Sequence, residues 1–207
     1  MREIATMVDV SVGTASRWLR DVPLTPAQVA ALDARNPAIN GQMAGARRLS
    51  EKARAARTHA QEHGRALAEG GDPLHRAGCM LYWAEGSKGR NNVTFTNSDE
   101  DMVRFFLTFL RRCFLVDDGQ VKLSVNVHLG NGLSVTEIET RWLEVLTLPR
   151  SCIRKGAVNR TSKASLGRWP PLVYGTARLT VCSTFIVQSI YGALQVYGDF
   201  DRPAWLG

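Results

Sequence analysis

Most of the signatures that would fix an enzyme class are missing from this chain. Its 207 residues hold no Cys-x-x-Cys pair, no phosphate-cradling glycine loop, no dinucleotide fingerprint and no Ser/His/Asp constellation. The four cysteines, Cys79, Cys113, Cys152 and Cys182, lie far apart among apolar neighbours. That distribution suits buried free thiols better than zinc or disulfides. No apolar run approaches the ~20 residues of a membrane span, and no signal-peptide core opens the chain. A soluble, cytoplasmic protein without a membrane partner is therefore expected. Acid is scarce as well: 19 Asp and Glu stand against 26 Lys and Arg, a net charge of +7. Between Glu144 and Asp199 there is no acidic residue at all, although Arg150, Arg154, Lys155, Arg160, Lys163, Arg168 and Arg178 fall there. A one-signed stretch of this length points to a polyanion, and double-stranded DNA at the nucleoid is the expected partner.

Three regions follow from composition: residues 1–35, a basic helical stretch 36–73, and a more apolar region 74–207 opening after the Gly70–Pro73 break. The strongest helical pattern covers Asp99–Phe114, with Met102, Phe105, Phe106, Phe109, Leu110 and Cys113 on one stripe and Ser98 as the expected cap. Ser134 with Glu137 marks the start of a second helix whose apolar face is Val135, Ile138, Trp142, Val145 and Leu146; a third spans Thr184–Val196. Strand-like alternation covers Asn92–Thr96, Val121–His128, Cys152–Val158 and Thr176–Cys182. In Val121–His128 it puts Val121, Leu123, Val125 and Val127 on one face and Lys122, Ser124, Asn126 and His128 on the other. From Leu74 the order is helix, strand, helix, strand, helix, strand, strand, helix, an α+β domain with helices on a half-exposed sheet. Pairing of Cys152–Val158 with Thr176–Cys182 would gather several cations on one face, flanked by a basic loop, Asn159–Pro171, that contains Trp169.

Residues 2–20 resemble a helix-turn-helix. Ile4, Ala5, Val8, Val10, Ala15 and Trp18 fall where two helices pack, and Ser11 can cap the second. Gly13, Thr14, Ser16, Arg17 and Arg20 then face outward, as short polar and cationic groups suited to base edges and phosphates. Asp9 stands where the turn usually has glycine. A third helix comes either from Thr25–Arg35 or from before Met1, and a generic helical hairpin is the alternative. Asn40–Glu69 is rich in Ala and Arg without proline; Arg47, Arg48, Lys52, Arg54, Arg57 and Arg65 suit either phosphate tracking or a solvated connecting helix. His59 and His63 sit one turn apart with no third metal ligand nearby in sequence.

Leu74–Glu85 reads as a short helix ending at Gly86, with the Glu85 carboxylate at the end where the helix dipole disfavours it. A cation there would offset that penalty. Leu81-Tyr82-Trp83-Ala84-Glu85-Gly86-Ser87 resembles the second half of the LAGLIDADG motif of homing endonucleases, with Glu85 in the place of its last acidic residue. The resemblance extends over residues 74–196. It implies a curved sheet lying along DNA and Glu85 as a catalytic Mg²⁺ ligand. Lys88, a second catalytic candidate, and Arg90 stand immediately after the motif, where they are placed to add phosphate contacts near Glu85. With a single motif, cleavage would need a homodimer and a near-palindromic target. Met80 departs from the small residue usual for close helix contact, and Trp83 replaces the motif's other acidic position. The expected function is sequence-specific DNA binding as a transcription regulator, resembling the sporulation regulators that join a non-cutting LAGLIDADG-like domain to a helix-turn-helix; the alternative is an active Mg²⁺-dependent homodimeric endonuclease.

Overall fold

In the computed structural model the chain is α+β, and residues 2–20, 22–34, 37–129, 133–160 and 172–206 are described. Two units divide it, residues 1–51 and 52–207. None of the described helices is long and apolar enough to cross a membrane.

The first unit opens with α1 (Arg2–Met7) and α2 (Val12–Trp18). The Ser11 hydroxyl accepts from the Thr14 amide and so caps α2. Asp9 takes φ 48°, the left-handed conformation that glycine would adopt at lowest cost. This accounts for the departure from the usual turn: the backbone bends as a glycine would, at a steric cost. α3 (Pro26–Ala34) follows, its start tied by a reciprocal pair: Gln28 N–H donates to Thr25 Oγ1, while Thr25 N–H donates to Gln28 Oε1. α4 (Pro37–Glu69) begins in the first unit and continues into the second.

The second unit keeps the expected order: α5 (Pro73–Glu85), β1 (Val93–Asn97), α6 (Glu100–Phe114), β2 (Val121–Leu129), α7 (Val135–Leu146), β3 (Val158–Arg160), β4 (Thr176–Val181) and α8 (Thr184–Gly198). Boundaries shifted where caps decide them. Asp99, not Ser98, caps α6, because its carboxylate accepts from the Asp101 and Met102 amides. Ser134 and Glu137 form the expected reciprocal box at α7. The apolar faces are broader than a single stripe: Val103 and Leu107 join Phe106, Phe109 and Leu110 in the core, and Leu143 joins Ile138, Trp142 and Leu146.

The sheet runs β1-β4-β2-β3, antiparallel except for the parallel β2–β3 pair. β3 and β4 are therefore not neighbours, contrary to the sequence expectation. Most of Cys152–Val158 is not strand either; its backbone follows β2, with the Arg154 amide donating to Leu123 O at 2.7 Å. The chain stays close because Gly156 has no side chain; a Cβ there would meet Val125 O at 1.8 Å.

One sheet face is apolar and closed. Val93, Phe95, Val121, Leu123, Val125, Val127, Ala177, Leu179 and Val181 are buried beneath the helices. Phe95, Phe106 and Tyr82 form a stack with ring centroids 4.3 and 5.7 Å apart. The second half of α4 belongs to this core rather than to a linker. Ala60 and Ala68 are buried, and Gly64 and Gly192 sit against backbone: a Cβ would reach Ser189 O at 1.8 Å and Gln61 O at 2.0 Å. Small residues thus let α4 and α8 approach closely. Buried amides close the contact, with Gln61 donating to Gln188 at 2.8 Å and Gln195 donating to Gln61 at 3.0 Å. The basic region expected at 36–73 consequently splits at Glu51/Lys52, and its second half is structural.

Candidate nucleic-acid interface

The other face of the sheet carries Thr94, Thr96, Lys122, Ser124, Asn126, Thr176, Arg178 and Thr180, all half-buried or exposed. Alternation dictates this set, because these residues alternate along the strands with the ones buried in the core. Register then aligns it. Arg178 lies between Thr96 and Ser124, and Thr180 lies between Thr94 and Lys122. The Arg178 guanidinium donates to Thr96 Oγ1 at 3.4 Å, and Lys122 Nζ approaches Cys182 Sγ at 3.3 Å. Among the described residues this face carries hydroxyls, one amide and two cations, and no carboxylate.

Several carboxylates of this unit are occupied elsewhere. Glu100 takes a bidentate pair from Arg141 at 2.6 and 3.0 Å, Asp118 takes Arg111 at 2.7 Å, and Glu139 takes Arg150 at 2.9 Å. Asp72, Asp99, Asp117 and Glu137 cap helix or turn starts. Hydrogen bonds from Ser134 hold the Glu137 carboxyl below its usual range. Among the described residues, Arg90, Lys122, Arg154, Lys155 and Arg178 make no ion pair. They are cations without a protein counter-charge. Arg154 folds back onto its own strap, donating to Ser151 O and Ile153 O at 2.7 and 2.8 Å, while Lys155 is exposed. The backbone of Arg160 is in β3, but its side chain lies outside the described residues, as do Lys163 and Arg168.

α5 delivers Glu85 to an exposed position at its C-terminal end. The expected offsetting cation comes from the chain itself. Lys88 Nζ donates to the carbonyls of Tyr82, Trp83 and Gly86 at 3.2, 2.8 and 2.6 Å. Partial burial lowers its pKa, and the nearby Glu85 raises it. Lys88 is thus a helix-end cap, with its three donors engaged by those carbonyls. Gly86 ends the helix in extended conformation, φ −76°, not in the left-handed one. Glycine is needed there because a Cβ would strike the Tyr82 ring at 2.2 Å. The two motif departures have local reasons as well. Trp83 packs on Phe200 with centroids 5.3 Å apart, and Met80 is 39% exposed on the open side of α5.

A divalent metal fits this end of α5 poorly within one chain. Mg²⁺ takes hard oxygen ligands, usually one or two carboxylates. Glu85 is one carboxylate, the neighbouring Gly86 carbonyl is held by Lys88, and no group of three acidic, His or Cys side chains forms a site among the described residues. His63 meets Phe185 and Ser189 rather than a metal partner.

In the first unit the expected DNA-facing residues divide. Arg17 is exposed. The Thr14 hydroxyl is 2.9 Å from Ser11 Oγ, within the cap. Ser16 and Arg20 line a groove of about 740 Å³ with Ile4, Leu19, Leu24 and Leu32, so they face α3. Arg47 and Arg48 are exposed on α4.

Comparison with known proteins leaves these features to speak alone: no family model, curated protein or solved structure matches the chain.

Proposed function

We propose that the protein is a double-stranded DNA-binding regulator that contacts phosphates and base edges through the polar face of its sheet, with α1–α2 acting as a helix-turn-helix. The observation that carries this reading is the acid-free outer face. Lys122 and Arg178 stand among Thr94, Thr96, Ser124, Asn126, Thr176 and Thr180, with no carboxylate to satisfy them. Cations supply sequence-blind attraction, and short hydroxyls and amides supply hydrogen bonds to base edges. Arg90, Arg154 and Lys155 extend the charge beyond the strands, and Arg17 with Arg47 and Arg48 provides a second cationic set.

The resemblance to LAGLIDADG domains supports the same assignment, since such domains lay a sheet along DNA. It does not carry cutting here. No group of three potential metal ligands forms among the described residues, and Lys88 holds the carbonyl oxygens beside Glu85. Binding without cleavage is the reading these contacts favour.

The test is affinity for a mixed-sequence duplex as salt rises from about 50 to 200 mM. Several phosphate contacts predict a loss of orders of magnitude across that range. Affinity that holds constant sinks the DNA reading. A plasmid carrying the surrounding genomic sequence, incubated with Mg²⁺, tests cleavage. Double-strand breaks abolished by Glu85→Gln would replace the regulator with an endonuclease.

A further inference from the structure

Three wholly buried polar side chains of the second unit direct their hydrogen bonds at one surface loop, residues 87–92, which joins α5 to β1. The Tyr82 hydroxyl donates to Ser87 O at 2.5 Å, the Tyr191 hydroxyl to Gly89 O at 2.8 Å, and Gln188 Nε2 to Arg90 O at 3.1 Å. Each of the three residues is 0% exposed. Burying a polar group is costly unless it is bonded, and here each bond partner is loop backbone.

Gln188 is the last member of a chain of amides whose direction is fixed. Arg65 donates to Gln195 Oε1 at 3.1 Å, Gln195 Nε2 to Gln61 Oε1 at 3.0 Å, and Gln61 Nε2 to Gln188 Oε1 at 2.8 Å. A guanidinium only donates and a backbone carbonyl only accepts, so both ends impose the same sense on all three amides. The chain thus delivers a committed donor to the Arg90 carbonyl.

The loop sits at a corner of the polar sheet face. Gly86 bridges Phe95 in antiparallel fashion and the Ser87 amide donates to Thr94 O at 2.9 Å, which places Ser87 beside Thr94 at the outer edge of β1. Ser87 therefore extends the row formed by Thr94, Thr180 and Lys122. Arg90 is exposed just beyond it. Lys88 is engaged by three carbonyls and Arg154 by two. Among the described residues the Arg90 guanidinium has neither hydrogen bond nor ion pair.

We propose, resting on the DNA reading above, that Arg90 reads a base edge, with guanine as the chemical match, and that Tyr191 and Gln188 are positioning residues that hold its backbone for that contact. A phosphate contact tolerates a mobile side chain, because simple charge attraction has little directional demand. A bidentate pair with guanine O6 and N7 requires a fixed approach. An unengaged arginine on a backbone pinned from the core meets that second requirement. A purely stabilising role for the pins makes a different prediction: their loss moves the melting temperature and leaves base preference alone.

The test uses the full chain. A random duplex library is enriched for binding, and affinity is then measured for the enriched duplex and for a mixed-sequence duplex. Arg90→Lys keeps the charge and loses the bidentate fork, so the ratio of the two affinities should fall about tenfold or more. Tyr191→Phe keeps the ring stacked on Trp205 at 4.4 Å but removes the bond to Gly89 O. It should lower the same ratio about threefold, with no further effect once Arg90 is replaced by Lys. A ratio unmoved by Arg90→Lys overturns base reading, and one unmoved by Tyr191→Phe overturns positioning. A library that fails to enrich while salt-sensitive duplex binding persists overturns this inference and leaves the DNA reading standing. Absence of salt-sensitive binding removes both.

Discussion

The two units use apolar residues in opposite ways. In residues 52–207 most large apolar side chains of the described helices and strands are enclosed, with Trp142, Tyr82, Tyr191, Phe95, Phe106 and Phe109 less than 2% exposed. Among the described residues of 1–51 most large apolar side chains are on the surface, and the buried apolar ones are two alanines. The difference locates stability in the second unit. The first is held by local devices, the Ser11 cap and the Thr25–Gln28 pair, and its apolar surface is available for contacts. Removing core volume should therefore separate the units most sharply. Phe106→Ala empties the stack between Phe95 and Tyr82 and should cost about 3–5 kcal/mol. Trp18→Ala, at 63% exposure, should change the stability of the monomer by about 0.5 kcal/mol or less. Thermal melts of both variants check the pair; equal losses would overturn the contrast.

The second prediction asks which unit holds DNA. Lys122→Ala with Arg178→Ala removes both cations of the sheet face. It should weaken duplex binding roughly ten- to a hundredfold and lower the salt slope by about two. The melting temperature should stay put, since neither side chain makes an ion pair among the described residues. Arg17→Ala should cost less, one phosphate contact at most. If Arg17→Ala proves the more damaging, the first unit is the main reader.

How much of this was legible in the sequence depends on the range of the interaction responsible. The helices were readable from local signals: Ser134 with Glu137 for α7, and the dense apolar spacing of α6. The polar side of β2 was readable too, because alternation fixes which residues share a face. Strand order was not. Nothing local to Cys152–Val158 says that it follows β2 in parallel rather than pairing with β4; Gly156 against Val125 decides that at a separation of about thirty residues. The helical content of α4 was evident from its Ala and Arg. Its docking was hidden, because the contact relies on the absence of side chains at Gly64 and Gly192 and on three glutamines that look like surface residues. The helix end that carries Glu85 is also where Lys88, three residues on, caps the last carbonyls.

A smaller effect comes from His75, buried at 2% exposure with Nδ1 2.8 Å from the Tyr197 hydroxyl and Nε2 near Cys79. Burial is the main cause of its lowered pKa, opposed by Asp72. In the unfolded chain the imidazole titrates near its ordinary value of about 6.5, so below that pH the unfolded state binds more protons than the folded one. Stability is complete above about pH 6.5 and declines as pH falls toward the folded value. Melting temperature measured from pH 7.5 to 5 should show this decline in the second unit, and His75→Gln should flatten it. A profile unchanged by His75→Gln would assign the acid sensitivity to other groups.

The smallest expected effect returns to the first unit. Asp9 holds φ 48° in the turn between α1 and α2, a conformation that costs an L-residue roughly 1–2 kcal/mol and costs glycine almost nothing. Asp recovers part of that cost by its short polar side chain, and glycine adds unfolded-state entropy. Asp9→Gly should thus stabilise the turn by about 0.5 kcal/mol net. The gain should be local. Amide exchange should slow for Val10, whose N–H donates to Ala5 O at 3.0 Å, and for Ala15, whose N–H donates to Ser11 O at 3.0 Å. Amides of β2 and β4 should be unaffected, since their protection reflects the enclosed core. Equal slowing in both units would mean that they open together, and the division of stability between a core-rich and a core-poor unit would fail.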